Sequence, residues 1–371
     1  MISKMRSFRL EPAKDERYRN YLIALLARVK EIQASDLHLT VGSPPILRIS
    51  GTLFPSTSHD IVTESFVEDL LEILLNSGQQ EILARMKDIT FTQNFASGLR
   101  FKVKIFYQKD VPSLSFRFIP EMNFGIDSLG LPALIKTILK AHHGLIIISG
   151  PFDSGKSTSL AAVLNYINDT ERRYIVTLEQ PIEYVLPNTK SIIEQREIGV
   201  DTPSATAALR SLADEDVDVI ALSNLDGKKM IMQTLSASAE GRMMIAVMNT
   251  NYSADCLEKI HGYFPAQEQP WARTILSENL LAILNQRLVP KIGGGRILAY
   301  EFIANTPAVK NLIAEGTFFR LSRLIESTED PGIISLERFL AMLVKKGTVK
   351  LEDAIFESQN RALLEHLVQM G

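Results

Sequence analysis

The order of apolar and polar positions divides the chain into two regions with different patterns. Residues 18–32 carry apolar side chains at the three-and-four spacing of a helix with one buried face. Residues 101–107 are apolar at every second position, which is typical of a strand with one buried face. Further strands are predicted over 37–40, 46–49 and 114–119, and a second helix over 66–75. Together these elements predict a small α+β unit that ends near Ile119.

A second region follows a stretch that is rich in turn residues. Residues 120–130 contain Pro, Asn, Gly, Asp and Ser and predict a linker. From Leu131 onward, amphipathic segments alternate with short apolar strands, which is the pattern of a parallel sheet covered by helices on both faces. These strands are predicted over 145–149, 174–178, 217–222 and 243–248. The second region is therefore expected to be an α/β domain.

The region after Trp271 is mostly helical in pattern. Candidate helices cover 275–288, 308–315 and 335–346. The expected organisation is an N-terminal extension over 1–16, an α+β domain over 17–119, a linker over 120–130 and an α/β domain with C-terminal helices over 131–371.

The composition fits an ordinary globular chain with two cores. Of the 371 residues, 46% are hydrophobic and 22% are charged, so long disordered segments are not expected. Domains typically have about 100 to 200 residues, which favours two of them. The formal net charge is −3 and no run of five or six like charges occurs, which argues against a nucleic-acid partner.

The sequence has no segment suited to the bilayer interior. Its apolar runs are far shorter than the roughly 18 residues of a membrane span, and the first ten residues lack the apolar core of a secretory signal. A cytoplasmic location is therefore expected. The single cysteine, Cys256, excludes an internal disulfide and a cysteine-based zinc site, and we interpret it as a small buried residue.

The strongest motif is a phosphate-binding loop. Residues 150–157 read GPFDSGKS, follow a predicted strand and open a predicted helix over 158–167, which is the context of a P-loop. The loop amides would surround a phosphate, Lys156 would reach the outer phosphates, and the Ser157 hydroxyl would bind magnesium. The candidate ATP-binding residues are Gly150, Ser154, Gly155, Lys156, Ser157 and Thr158.

One residue inside this loop leaves two interpretations open. Asp153 places a carboxylate where the loop should face phosphate, and like charges about 4 Å apart repel by about 1 to 4 kcal/mol in water or near a protein surface. Alternatively, Asp153 turns outward and only supports the backbone, since Asp tolerates unusual dihedral angles. A loop that is now merely structural is a further alternative.

Several separate segments resemble the PilT family of secretion ATPases. Residues 35–42 read SDLHLTVG and are followed by Pro44, Pro45, Arg48 and Gly51, as in the family's N-terminal signature. Further similar segments are 100–106, 116–120, 129–132, 178–185, 194–197, 207–211 and 306–309. The resemblance covers about residues 17 to 330 and implies a PAS-like domain, a RecA-like P-loop ATPase domain, and a six-membered ring with ATP at each subunit boundary.

The family's acidic motif is partly retained. It reads TLEQPIE here, so that Glu179 and Glu183 are present and Gln180 stands where the resemblance expects aspartate. By resemblance, both glutamates are candidate catalytic carboxylates. Glu179 alternatively ends its strand and caps the next turn.

Other catalytic motifs of the family are replaced. Asn224 occupies the position of the Walker B glutamate, and Asn249 occupies the position of the histidine expected to sense the γ-phosphate. An amide can orient water but cannot take its proton, and general-base catalysis contributes about 10² to 10⁴ in rate. Two further family motifs read LDG at 225–227 and AEGR at 239–242. The pattern predicts that binding is retained and turnover is impaired.

The resemblance also implies contacts across subunit boundaries. Family members supply arginines from the N-terminal domain to a neighbour's nucleotide, and the matching strands carry Arg100 and Arg117. Lys102 stands where arginine is expected and lacks the planar fork that binds phosphate with two hydrogen bonds. The alternative is a solvated strand face.

Three hypotheses follow for the function. The first is an ATP-binding and Mg²⁺-binding subunit of a type IV pilus (twitching motility) motor that is weakly catalytic or noncatalytic and regulatory. The second is an active hexameric retraction ATPase that uses Glu179 or Glu183 in compensation, and the third is a nucleotide-independent scaffold of the pilus machine. The expected partners are other copies, or an active PilT-like paralogue, and the inner-membrane platform protein, at the cytoplasmic face of the inner membrane.

Overall fold

The computed structural model describes residues 12–49, 51–56, 59–96, 98–122 and 124–370. The chain divides into two compact units, Met1–Met122 and Asn123–Gly371. Of the N-terminal extension expected over residues 1–16, residues 1–11 lie outside the described part of the chain.

The first unit is one antiparallel sheet with helices. Its elements are α1 (Pro12–Glu31), β1 (Asp36–Thr40), β2 (Ile46–Ile49), β3 (Thr52–Pro55), α2 (Glu64–Leu74), α3 (Ser77–Met86), β4 (Asp88–Ala96), β5 (Leu99–Gln108) and β6 (Val111–Ile119). The strand order is β3-β2-β1-β6-β5-β4. Every neighbouring pair is antiparallel.

The core of this unit follows the predicted periodicities. Leu22, Leu26 and Val29 on α1 are buried in the same cluster as the inward-facing Phe101 on β5 and Phe116 on β6. Burial alternates along β5 because successive side chains of a strand point to opposite faces. The helix expected over 18–32 and the strands expected in this region are confirmed.

The second unit is a mostly parallel sheet with helices. Its elements are α4 (Ile126–Leu129), α5 (Ile135–Ile138), β7 (Gly144–Ser149), α6 (Lys156–Thr170), β8 (Tyr174–Glu179), β9 (Ile192–Glu197), α7 (Ala205–Leu212), β10 (Val219–Leu222), α8 (Lys228–Ala239), β11 (Met243–Met248), α9 (Ser253–Gly262), α10 (Gln269–Asn279), β12 (Leu280–Pro290), β13 (Arg296–Ala304), α11 (Pro307–Glu315), α12 (Phe319–Ser327), β14 (Ile333–Ile334), α13 (Leu336–Lys345), α14 (Leu351–Glu357) and α15 (Arg361–Gln369). The strand order is β14-β13-β12-β7-β11-β10-β8-β9.

The parallel strands are the apolar runs that the sequence indicates. The neighbours from β12 through β9 are parallel, whereas β13 and β14 are antiparallel additions at one edge. Every residue of β7, β10 and β11 is buried, as expected for strands covered on both faces. The predicted α/β class of this unit is confirmed.

One predicted helix is wrong. Residues 275–288 were expected to be helical, but α10 ends at Asn279 and β12 begins at Leu280. The prediction of a mostly helical region after Trp271 also did not include the strand β13. The cause is that β12 lies between two strands and is buried on both faces, so it shows no alternation of apolar and polar residues. The helices expected over 308–315 and 335–346 are present as α11 and α13.

The C-terminal helices pack on the β12–β13 hairpin. Val289 and Ala299 of the hairpin share a buried cluster with Leu340 on α13 and Leu364 on α15. The Ile292 amide in the hairpin turn donates a hydrogen bond to the Thr348 carbonyl oxygen at 2.9 Å. These contacts fix the hairpin that borders the loop following β7. Among the described residues, no helix is both long and apolar enough to cross a membrane.

Candidate nucleotide site

The predicted phosphate loop lies between the central strand β7 and the N-terminus of α6. Gly150 has φ 152° and lies so close to β12 that an added Cβ would be 2.3 Å from the Gln286 carbonyl oxygen. Gly155 has φ 85° and caps α6. Both positions therefore require glycine, and the loop amides precede a helix N-terminus, where an anion is stabilised.

Lys156 is buried and is held by the loop itself. Its Nζ donates hydrogen bonds to the carbonyl oxygens of Gly150, at 3.0 Å, and Pro151, and lies 3.3 Å from Ser154 Oγ. Burial lowers the pKa of Lys156, and the nearby Asp153 carboxylate opposes that shift. These three oxygen partners show that the ammonium group is directed into the loop, where phosphate oxygens would replace them.

The first turn of α6 supplies two hydroxyl groups. Ser157, the predicted magnesium ligand, is exposed, whereas the Thr158 hydroxyl lies 3.1 Å from the Tyr184 hydroxyl. Within the described ranges, no cluster of three or more His, Cys, Asp or Glu side chains suits a metal ion. Magnesium often binds through one or two protein ligands together with substrate phosphates and water. The residues therefore fit a magnesium ion that arrives with a nucleotide.

The carboxylate in the loop is directed at an arginine. Asp153 has φ 63°, a left-handed conformation that Asp tolerates better than most residues. Its Oδ2 lies 2.9 Å from Arg296 Nη1, and both side chains are about half exposed, at 47% and 48%. Phe152 beside it is 83% exposed. This geometry favours the interpretation in which Asp153 turns outward.

The expected catalytic positions meet at one edge of the parallel sheet. The registers of β7, β8, β10 and β11 place Ser149 beside Met248 and Leu222 beside Leu178. Parallel strands end at the same edge of a sheet. Glu179 ends β8 at this edge, and three further sites follow strands that end there: the phosphate loop after β7, Asn224 after β10 and Asn249 after β11. Arg100 and Arg117 belong to the other unit.

Glu179 is a restrained carboxylate at the end of β8. Its Oε1 accepts hydrogen bonds from Thr177 Oγ1 at 2.7 Å and from Gln195 Nε2 at 2.9 Å. Burial raises its pKa despite these hydrogen bonds, and the charges of Glu183 and Glu197 add to the increase. A carboxylate with a raised pKa is a better proton acceptor at neutral pH than an ordinary one.

The positions at which the resemblance expects the Walker B glutamate and the γ-phosphate-sensing histidine both carry amide side chains. Asn224 and Asn249 are both exposed at the strand ends. The Ser223 amide donates to the Leu178 carbonyl at 3.0 Å and the Leu225 amide donates to the Val247 carbonyl at 2.7 Å. The backbone on both sides of Asn224 is therefore fixed to neighbouring strands.

Other replaced residues make contacts within the fold. Asp226 accepts a hydrogen bond from the Tyr263 hydroxyl and lies 3.2 Å from Lys259 Nζ. Arg242 donates to the carbonyl oxygens of Ala213 and Glu215. Both side chains therefore interact with neighbouring residues of the same unit.

Sequence reasoning missed the polar residues of β12, because this segment was predicted to be helical. Asn285 Nδ2 donates to Ser149 Oγ at 2.9 Å, and Gln286 Nε2 donates to the Ser154 carbonyl oxygen at 2.7 Å. Both side chains are buried, and Gln286 Oε1 has no hydrogen-bond partner within the described part of the chain. The one available signal was a pair of amide side chains inside an apolar run. Gln286 thus braces the phosphate loop from the adjacent strand.

The expected arginines of the first unit have polar partners. Arg117 Nε donates to Asp36 Oδ1 at 2.9 Å, and Asp36 is buried. Arg100 donates to Asn94 Oδ1 at 3.1 Å and to Thr92 Oγ1 at 2.9 Å. Both arginines are therefore oriented by neighbouring side chains on their sheet.

Cys256 is a buried thiol, as interpreted from the sequence. Thr250 Oγ1 lies 2.9 Å from its sulfur, and burial raises the pKa of Cys256 to about 11. The thiolate is the reactive form, so this residue is inert near neutral pH.

These features are those of a P-loop protein with a RecA-like sheet, and comparison with known proteins defines its family. A family model described as type II/IV secretion system protein matches residues 113–316, more than half of the chain. The chain belongs to this family, and within it to the PilT-like and PilU-like type IV pilus ATPases.

The chain is similar to relatives along nearly its whole length. It is 34% identical to the type IV pilus retraction ATPase PilT of Pseudomonas aeruginosa, over 89% of this chain and 96% of PilT. It is 30% identical to the type IV pilus ATPase PilU of the same organism, over 94% of this chain and 91% of PilU. A crystal structure of the pilus retraction motor PilT with bound ADP superimposes with a TM-score of 0.82 at 33% identity, over 93% of this chain and 99% of that one. The expected α+β N-terminal domain followed by a RecA-like ATPase domain is confirmed.

Proposed function

We propose that this chain is an ATP-binding subunit of a type IV pilus motor whose hydrolytic activity is weak or absent, so that it acts as a regulatory paralogue. The observation that carries the proposal is that, at one edge of the sheet, the phosphate-binding features are retained while the expected proton acceptors are absent. The phosphate loop keeps its glycines at positive φ, an inward-directed Lys156 and the Ser157 hydroxyl, whereas Asn224 and Asn249 present only amides. Nucleotide binding requires the features of the phosphate loop. Proton transfer from the attacking water requires a proton acceptor, which neither asparagine side chain provides.

The binding part of the proposal assigns a role to each loop residue. Gly150 and Gly155 allow the backbone to surround a phosphate, and Ser154 and Thr158 are assigned to the same phosphate-binding segment. Lys156 exchanges its loop carbonyl partners for the β- and γ-phosphates of ATP, and Ser157 binds Mg²⁺.

A second candidate function is an active retraction ATPase. One observation favours it: burial raises the pKa of Glu179, which suits a general base near neutral pH. In that case Asn224 would orient the attacking water, and Glu179 or Glu183 would take its proton. The hydrogen bonds that Oε1 of Glu179 already accepts weigh against it.

Assembly is part of the proposal. Six subunits, either copies of this chain or a mixture with an active PilT-like paralogue, would form a ring at the cytoplasmic face of the inner membrane and contact the platform protein. Arg100 and Arg117 would then reach the neighbour's nucleotide. We expect native mass spectrometry with Mg·ATP to show six-membered complexes of this chain alone or with that paralogue. A stable monomer under both conditions would contradict the ring.

Replacing Lys156 by alanine is expected to weaken ATP binding by about 10-fold to 100-fold. The reason is that charge-assisted hydrogen bonds contribute about 1.5 to 3 kcal/mol, and about 1.4 kcal/mol corresponds to a factor of ten. Equilibrium titration with fluorescently labelled ATP and Mg²⁺ measures the affinity. Lys136→Ala, which removes a lysine paired with Asp127, is the matched control and should bind like the wild type. If neither the wild type nor Lys156→Ala bound labelled ATP saturably, the result would favour a nucleotide-independent scaffold.

A further inference from the structure

An acidic side chain inside a phosphate loop creates an electrostatic difficulty. Asp153 lies three residues before Lys156, and its charge acts on that ammonium group. An unneutralised carboxylate at this position would repel the phosphates that the loop is built to surround. A fully functional loop with Asp153 therefore needs a compensating positive charge.

The β12–β13 hairpin places one positive charge against this carboxylate. Arg296 is the first residue of β13, and its Nη1 lies 2.9 Å from Asp153 Oδ2, although 143 residues separate the two in sequence. At the next residue of the loop, Gln286 of β12 donates to the Ser154 carbonyl. The hairpin thus contacts two consecutive loop residues, one through a side chain and one through the backbone.

The position of Arg296 is fixed by the hairpin turn. The Lys291 amide donates to the Gly295 carbonyl at 3.0 Å, and the Gly294 amide donates to the Lys291 carbonyl at 3.0 Å. The Ile292 amide in this turn also bonds to the Thr348 carbonyl between two C-terminal helices. Arg296 therefore approaches the loop from a braced turn.

We propose that Arg296 is a positioning residue of the phosphate loop, which neutralises Asp153 and holds its carboxylate away from the bound phosphates. This inference rests on the proposed nucleotide binding and adds a second contributor to it. Its consequence is specific: Arg296 matters for nucleotide affinity only while residue 153 carries a negative charge. A role in direct phosphate binding, or a purely structural role, would not depend on that charge.

The test is a charge-suppression series on the full-length protein. Labelled ATP with Mg²⁺ is titrated against wild type, Arg296→Ala, Asp153→Asn and the double variant Asp153→Asn/Arg296→Ala. Asparagine suits residue 153 because it adopts positive φ readily and has the shape of aspartate without its charge. Arg361→Ala is the matched control, since it breaks the Arg361–Glu365 ion pair on α15. Circular dichroism and thermal melting confirm that each variant folds.

The expected result is a loss of about tenfold in affinity for Arg296→Ala, which equals about 1.4 kcal/mol. Asp153→Asn and the double variant should both bind within about threefold of the wild type or more tightly. The loss in Arg296→Ala should also shrink as salt rises from about 0.05 M to 0.5 M, because an exposed charge is screened.

Two results on the variants would overturn the inference. If Arg296→Ala binds like the wild type, the carboxylate needs no compensation. If the double variant is as weak as Arg296→Ala, Arg296 acts on the phosphates or the fold and not through Asp153. Failure of the proposed nucleotide binding gives a different result. The wild type would then show no Lys156-dependent ATP binding at any salt concentration, and the role of Arg296 would also be contradicted.

Discussion

Replacing Asn224 by glutamate is expected to raise the rate of ATP hydrolysis by about 10² to 10⁴ above that of the wild type, which corresponds to about 3 to 5.5 kcal/mol of activation free energy. The physical reason is that a carboxylate can accept the proton of an attacking water, whereas an amide cannot. The site suits the substitution because residue 224 is exposed and the backbone on both sides of it is hydrogen-bonded to adjacent strands. Phosphate release under saturating Mg·ATP measures the effect.

The matched control for this prediction is Asn224→Gln. It lengthens the side chain as glutamate does but supplies no proton acceptor, so its turnover should stay at the wild-type level. Adding Asn249→His to Asn224→Glu introduces the histidine that the resemblance expects at the second position and should increase turnover further. Equal rates for the glutamate and glutamine variants, with ATP binding intact in both, would show that position 224 does not limit hydrolysis.

Glu301→Gln is expected to remove a large pH dependence of stability. Burial raises the pKa of Glu301 to about 7 in the folded protein, from an ordinary value of 4.5, and the nearby Glu337 and Asp255 add to the increase. Between pH 4.5 and 7 the folded form keeps a proton that the unfolded form releases, so stability falls as pH rises. At about 1.4 kcal/mol per pH unit, this side chain alone lowers the free energy of unfolding by on the order of 3 kcal/mol at pH 7 and above.

The measurement is urea unfolding of the wild type and Glu301→Gln at pH 5 and pH 8. The variant keeps an acceptor for the Ser253 amide, which donates to Glu301 Oε1 at 3.1 Å. It should therefore resemble the wild type at pH 5 and exceed it by about 2 to 3 kcal/mol in unfolding free energy at pH 8. Parallel pH dependence in the two proteins would mean that Glu301 is ionised in the fold and would contradict the prediction.

The sequence predicted the elements whose pattern is local. Strands such as β7 and β11 are short runs in which every residue is apolar, and α1 has one regular buried face, so each could be recognised without tertiary information. β12 could not be recognised in this way. It contains Leu, Ala, Asn, Gln and Arg in a segment that continues directly from α10, and its strand geometry comes from pairing with β7 and β13.

In the candidate site, too, the residues placed by local pattern were predictable and the contacts between distant segments were not. The phosphate loop and the positions of Asn224 and Asn249 were predictable, because each follows an apolar strand and parallel strands end at one sheet edge. The contact of Arg296 with Asp153 and that of Gln286 with Ser154 span 143 and 132 residues, and no local pattern indicates them. They depend on a hairpin whose first strand, β12, was predicted to be helical and whose second strand, β13, was not predicted.

Phosphate release from the purified wild type, compared with Lys156→Ala at saturating Mg·ATP, tests most directly whether this subunit binds ATP without turning it over. The account predicts that labelled ATP binds the wild type in a Lys156-dependent manner while its hydrolysis rate does not exceed the Lys156→Ala background. Lys156-dependent turnover of about 0.1 per second or faster, against about 10 per second for a typical enzyme, would contradict it and favour a working motor ATPase.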